Sequence, residues 1–305
     1  MLGAHAAAGL GLVLLGPPKT AIARRALARR PLRRARTAGL ALAALLLVAL
    51  LSGFAHSSGL LRQLGPVSAM QLHVGAALAA VPLALWHLLA RPQRPHRTDA
   101  SRRMLLRAGA LAGAAGLAWA ATEGLERLAR LPGRGRRFTG SFAAGSGDPA
   151  AMPVTQWLDD PVPEVDPTGW RLRVSAGGRV REWSYAELAA FADRLRATID
   201  CTGGWYAEQE WEGAWLDRLL PEEAASGRGS LVVGSATGYT RRFPLGERRR
   251  LLLATRAGGR PLASGHGFPA RIVAPGRRGF WWVKWVDRIE LRDTPPWWQP
   301  PFPLT

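Results

Sequence analysis

Four apolar runs follow one another at about 3–16, 38–55, 70–90 and 104–122. Nothing else in the sequence limits the fold so strongly. A helix that crosses a bilayer needs about 20 predominantly apolar residues, with a range of roughly 17–25. The second, third and fourth runs meet that length, and the first is short. Ala41–Leu51 offers no polar atom beyond its backbone, and in lipid only a helix satisfies such a backbone without partner strands. The first half of the chain is therefore expected to be an all-α transmembrane bundle of three to four helices over 1–122, embedded in a lipid bilayer.

The formal charge of +19 and pI near 11.7 would otherwise suggest a nucleic-acid partner. Here the arginines alternate with apolar runs instead of forming one basic face, and no aromatic–basic groove motif is present. A nucleic-acid partner is not expected. The basic residues divide by loop. Lys19 and seven arginines lie between 17 and 37, Arg62 alone between 56 and 69, and Arg91, Arg94, Arg97, Arg102 and Arg103 between 91 and 103. Under the positive-inside rule the two rich loops are cytoplasmic and the chain from about 123 onward lies outside. Arg127, Arg130, Arg134, Arg136 and Arg137 argue the other way, but they precede a long domain, where the rule carries less weight. Ser101-Arg102-Arg103-Met104-Leu105-Leu106-Arg107, ahead of a glycine- and alanine-rich apolar segment, looks like a twin-arginine export signal. No small-residue cleavage site follows, so the helix is expected to stay as an anchor in a bacterial cell membrane.

His73 and His87 lie 14 residues apart on the third run. That is about 3.9 helical turns, so both face one way, about 21 Å apart. This spacing suits haem irons stacked across a bilayer, and an ionisable residue inside a membrane is functional by default. His5 and His56 lie level with His73 at the outer ends of their helices. A haem b between His73 and an outer-side histidine, His5 ahead of His56, is the expectation. His87 has no inner partner, since His96 falls in a loop.

After a stretch read as a linker (123–150), the texture changes. Trp170–Ala176 and Val180–Trp183 read as strands around Gly177-Gly178, and Ser184-Tyr-Ala-Glu187 as a capping box opening a helix to about Leu195. Thr198–Asp200 reads as a short strand and Gly213–Leu220 as a helix stopped by Pro221. Strands are expected at 230–235, 239–245, 250–255, 269–274 and 280–292. Residues 151–305 thus form an α+β, mostly β domain, long enough for its own core.

The one cysteine, Cys201, excludes a disulfide framework and a multi-cysteine metal site. It stands at a strand end before Gly203-Gly204, as an exposed thiol able to bind a metal or attack an electrophile. A nucleophile would want a base nearby, and His266 is the one histidine in this half.

Asp200-Cys201-Thr-Gly-Gly-Trp, Gly265-His266-Gly267-Phe268-Pro269-Ala270-Arg271 and Trp282-Val283-Lys284-Trp285 resemble the molybdopterin domain of the sulfite oxidase family. The resemblance covers roughly 150–305. It implies a sulfite-oxidase-type fold, a Mo-molybdopterin cofactor and a small-molecule substrate. By the same likeness Cys201 ligates molybdenum, and His266 and Arg271 contact the pyranopterin and its phosphate. Trp282, Val283 and Lys284 close on that phosphate, and Thr237 is a weaker match to a cofactor-contacting threonine. A buried dianionic phosphate does call for bidentate arginine and a point-charge lysine. The chain departs from the pattern in lacking a recognisable substrate arginine cluster and haem domain, and Thr155-Gln156-Trp157 stands in place of an asparagine–aromatic segment. Electrons are expected to pass to or from a membrane carrier such as a quinone or a cytochrome. A module that keeps the fold without redox activity is the alternative reading, and Cys201 discriminates the two.

Overall fold

The computed structural model describes residues 2–28, 34–90, 101–156, 161–221 and 229–301. Two compact units divide the chain between Gly140 and Ser141. His96 and Trp157 lie outside the described residues.

The first unit has four helices, α1 (Leu2–Ala28), α2 (Arg34–Ser58), α3 (Ala69–Leu89) and α4 (Arg102–Leu128). Each is long and apolar enough to cross a membrane. The first run, short in the sequence, extends to Ala28 because the helix continues through Pro17 and Pro18, as membrane helices tolerate. A two-strand turn, β1 (Gln63–Leu64) with β2 (Val67–Ser68), joins α2 to α3. Ser68 and Gln71 form a capping box at the start of α3. Ala38, Ala49, Ala76, Ala80 and Ala115 are buried, while Leu47, Leu51, Leu78 and Leu85 are exposed. Small residues inside and large apolar ones outside are the order expected where the surroundings are lipid. The stretch 123–150, expected as a linker, contains the last turns of α4, a 3-10 turn at Pro132–Gly135 and the strand β3 (Phe142–Ala143). Arg136 there bonds both Glu123 and Glu126.

The second unit has two sheets. The strands are β4 (Arg171–Ala176), β5 (Arg179–Ser184), β6 (Asp193–Asp200), β7 (Trp205–Trp215), β8 (Ser230–Ser235), β9 (Thr240–Pro244), β10 (Leu252–Ala257), β11 (Arg260–Pro261), β12 (Arg271–Val273) and β13 (Val286–Arg292). One sheet runs β11-β10-β7-β3, with β12 on β10 and β6 on β7; the other runs β5-β4-β13-β8-β9. Leu172, Trp211, Leu231, Phe243, Leu252, Ile272 and Trp282 lie in the core. Gly177 and Gly178, at φ 58° and 77°, make the expected hairpin turn.

Three expectations are corrected. The helix predicted to Leu195 is α5 (Tyr185–Ala189), and β6 already begins at Asp193. The helix predicted over Gly213–Leu220 is only α6 (Leu216–Leu219), because the preceding eleven residues form β7. Glu208, Glu210 and Glu212 share one face of β7 and meet Arg196 and Arg194 of β6. Such cross-strand pairs favour the sheet. The strand predicted over 280–292 begins only at Val286, since Gly279–Trp281 is a 3-10 turn. The freed stretch becomes a cleft wall.

Candidate molybdenum and pterin site

Cys201 follows β6 in a turn closed by Gly204 N–H on the Cys201 carbonyl, at 3.2 Å. Gly204 takes φ 86°, which favours glycine. The loop before Trp282 packs against this turn, and a Cβ on Gly279 would stand 2.9 Å from Cys201 Cα. Three side chains pin the turn. Ser141 Oγ donates to Asp200 Oδ1 at 2.7 Å, Arg278 Nη1 donates to the same oxygen at 2.6 Å, and Arg278 Nη2 donates to the Cys201 carbonyl at 3.1 Å. The Sγ accepts from Gly203 N–H at 3.4 Å. The thiol is 8% exposed, so the expectation of an exposed cysteine is corrected. The packing of the Gly279 loop buries it, yet it still lines a cleft with Thr155, Thr202, Thr237, Tyr239, Phe280, Trp282, Val283 and Lys284.

Arg271 on β12 is 2% exposed and meets no carboxylate within salt-bridge distance among the described residues. Its Nη1 donates to the His266 carbonyl at 3.1 Å and its Nη2 to the Trp282 carbonyl at 3.3 Å. The guanidinium lies 5.1 Å from the Trp211 ring centre and 5.7 Å from that of Trp282. Burial pushes it down to about 10, an effect the Cys201 thiol opposes. Its Nε has no hydrogen-bond partner among the described residues. A buried cation in this state is costly until an anion completes it. Lys284 Nζ donates to the carbonyls of Thr155 at 2.9 Å and Gly265 at 2.6 Å and to Gln156 Oε1 at 3.1 Å.

His266 ends a 3-10 turn before Gly267, which takes φ 103°. The ring is buried, with Nε2 3.1 Å from the Met152 carbonyl. It lines a separate small cavity with Pro149, Met152, Ala257 and Leu262. The structure therefore does not bring the His266 side chain onto the wall of the Cys201 cleft; its carbonyl reaches Arg271. Trp282 holds its place through Nε1–H on the Arg277 carbonyl at 3.1 Å and through Trp211, 5.6 Å away. The Val283 carbonyl accepts from Ile272 N–H at 2.8 Å. Thr237 sits in the β8–β9 turn, its Oγ1 3.2 Å from Ser235 Oγ. Trp285 closes the stretch in the left-handed region at φ 49°, its Nε1–H on the Ser264 carbonyl at 2.7 Å.

Sequence reasoning missed Tyr239, Phe280 and the Ser141–Asp200–Arg278 clamp. It also missed Arg241 on β9, 2% exposed and 4.2 Å from the Trp281 ring centre. A buried arginine gives no periodic signal, and the clamp joins residues far apart in the chain.

A thiol and a lysine lining one cleft, with a buried guanidinium bonded to the Trp282 carbonyl and meeting no carboxylate among the described residues, define an α+β domain suited to an anionic, metal-bearing cofactor. The bare Nε of Arg271 and the soft sulfur of Cys201 fit a pterin phosphate and molybdenum respectively. Residues 159–298 match the oxidoreductase molybdopterin binding domain. Sulfite oxidase from Gallus gallus is 31% identical over 179 residues, which cover 46% of this chain and 39% of that relative. Inducible nitrate reductase [NADH] 1 from Glycine max is 32% identical over 119 residues, 39% of this chain and 12% of that relative. The sulfane dehydrogenase SoxCD structure from Paracoccus pantotrophus aligns with a TM-score of 0.40 at 26% identity, over 44% of this chain and 40% of its own. Residues 159–298 of the C-terminal domain thus form a molybdopterin-binding oxidoreductase domain similar to that of sulfite oxidases. The chain spans about two fifths of the length of the first of these relatives.

Proposed function

We propose that this chain is a membrane-anchored molybdenum oxidoreductase, with its C-terminal domain on the outer side of a bacterial cell membrane. It transfers an oxygen atom to or from a small substrate and exchanges electrons through the membrane with a carrier, a quinone or a cytochrome. One observation carries the reading: the only thiol of the chain lines the same cleft as Trp282, whose carbonyl anchors a buried arginine without a carboxylate.

In this reading Cys201 ligates molybdenum, and Arg271 and Lys284 hold the phosphate. Trp282, Val283 and Thr237 line the pterin, and His266 supports Arg271 through its carbonyl. When bound, the molybdopterin supplies the two-electron oxygen-atom exchange. The Asp200–Arg278 pair fixes the direction of the Cys201 sulfur, Tyr239 and Phe280 form one wall, and Trp282 keeps water from the guanidinium. Purified from molybdenum-replete cells, the chain should contain about one molybdenum and one pterin per polypeptide. Cys201→Ser should keep most of the pterin and lose nearly all turnover, because a hydroxyl is a poor ligand for a soft site. Full molybdenum with normal turnover in that variant would overturn the assignment.

A further inference from the structure

We infer that the helical unit holds its haem between His5 of α1 and His73 of α3, as the two axial ligands of one iron. This inference rests on the redox reading above and deepens it. The two rings come from different helices and meet edge to face, with centroids 5.8 Å apart and planes at 87°. Two imidazoles on opposite sides of a metal, at about 2 Å per metal–nitrogen bond, have ring centres roughly 6 Å apart. An edge-to-face ring contact has a similar spacing, so three further features decide.

The first is the tautomer. His73 Nδ1 lies 2.7 Å from the Ala49 carbonyl oxygen. A carbonyl only accepts, so Nδ1 carries the proton and Nε2 is left as the basic nitrogen. That is the form of a ligand whose orientation is fixed from behind. The second is the space given to the ring. A Cβ at residue 53 of α2 would stand 2.8 Å from His73 Nδ1, so Gly53 is the notch that admits the imidazole. The third is the ligand count. Among the described residues no group of three or more His, Cys, Asp or Glu could hold a metal ion. A bare zinc or copper ion would be short of ligands, whereas a haem iron brings four ring nitrogens and needs two from the protein.

The other histidines of α2 and α3 do not compete. His56 Nε2 lies 3.1 Å from the Gly140 carbonyl oxygen. His87 repeats the arrangement one register along, with its ring 4.0 Å from where a Gly39 Cβ would stand, but among the described residues no second histidine ring faces it. One haem is therefore expected. Held by His5 and His73, the haem would supply one-electron transfer beside the two-electron molybdenum site.

The test uses the whole chain, extracted in detergent from haem-replete cells, with a reduced-minus-oxidised spectrum, haem quantification and molybdenum analysis on one preparation. A b-type band at about one haem per polypeptide is expected. His73→Ala and His5→Ala should each lose it while molybdenum content holds, and His56→Ala and His87→Ala should keep it. His5→Met should retain haem at a raised potential, as a Met/His pair does, which separates ligand loss from misfolding. A preparation with molybdenum but no haem band overturns the inference and leaves the molybdenum reading intact, as does a band surviving both His5→Ala and His73→Ala. A haem band without molybdenum overturns the molybdenum reading alone.

Discussion

His266 shows how one residue can be right in position and different in use. Its backbone carbonyl holds Arg271, while its ring points to Met152. Burial first, then the charges of Arg271 and Lys284, hold this imidazole below its ordinary value of 6.5; its bonds to the Met152 and Pro153 carbonyls act the other way. The folded chain therefore keeps His266 neutral where the unfolded chain takes up a proton. Its contribution to stability is complete above pH 6.5 and is lost as the pH falls from there through the lower folded value. His266→Gln, which cannot titrate, should flatten that fall. Unfolding midpoints of the purified full chain from about pH 5 to 8 would measure it. Equal acid sensitivity in both proteins would assign the effect to other groups.

At the scale of elements, β6 takes part in two kinds of ion pair, one with β7 and one with the loop before Trp282. Arg196 bonds Glu208 with side chains 78% and 44% exposed, so the pair contributes about 0–1 kcal/mol. Arg278 bonds Asp200 with the carboxylate 10% exposed. Removing that arginine leaves a nearly buried charge, at a cost of about 3 kcal/mol or somewhat less given its partial exposure. Arg278→Ala should lower both the unfolding midpoint and the molybdenum content, and Arg196→Ala should change neither appreciably. Calorimetry with metal analysis on the two variants would show the contrast; matching losses would remove the clamp from the account. The strands β4, β5 and β8 were legible because apolar alternation and a Gly-Gly turn mark them locally. β7 was not read, since the helix expected over Gly213–Leu220 took its last residues and the glycines after Cys201 drew its start into a loop. The motif residues Cys201, Arg271 and Lys284 could be read from the sequence. The clamp could not, because Ser141, Asp200 and Arg278 meet only after folding.

For the whole molecule, three of the four membrane-length helices follow directly from their apolar runs, and the first reaches that length only because it continues past Pro17 and Pro18. The proposed sidedness rests on the loops, whose basic residues number 8, 1 and 5 in succession. A reporter fused after Thr305 should be active only outside the cytoplasm. Replacing Arg102 and Arg103 with lysine should strand the C-terminal domain inside if the twin-arginine reading holds. Undiminished export in that variant would remove the signal from the argument, and a cytoplasmic reporter would reverse the topology.

The solitary sulfur nucleophile of this chain also makes the molecule its own gauge of maturation. With one cysteine and no other thiol to react, each polypeptide can be alkylated at one place, and that place faces the cleft. An electrophile small enough to enter would mark immature chains and pass over those whose sulfur is already committed to metal. The labelled fraction of a cell extract would then count how much of the protein has left the assembly line unfinished, with no need to know what substrate it serves.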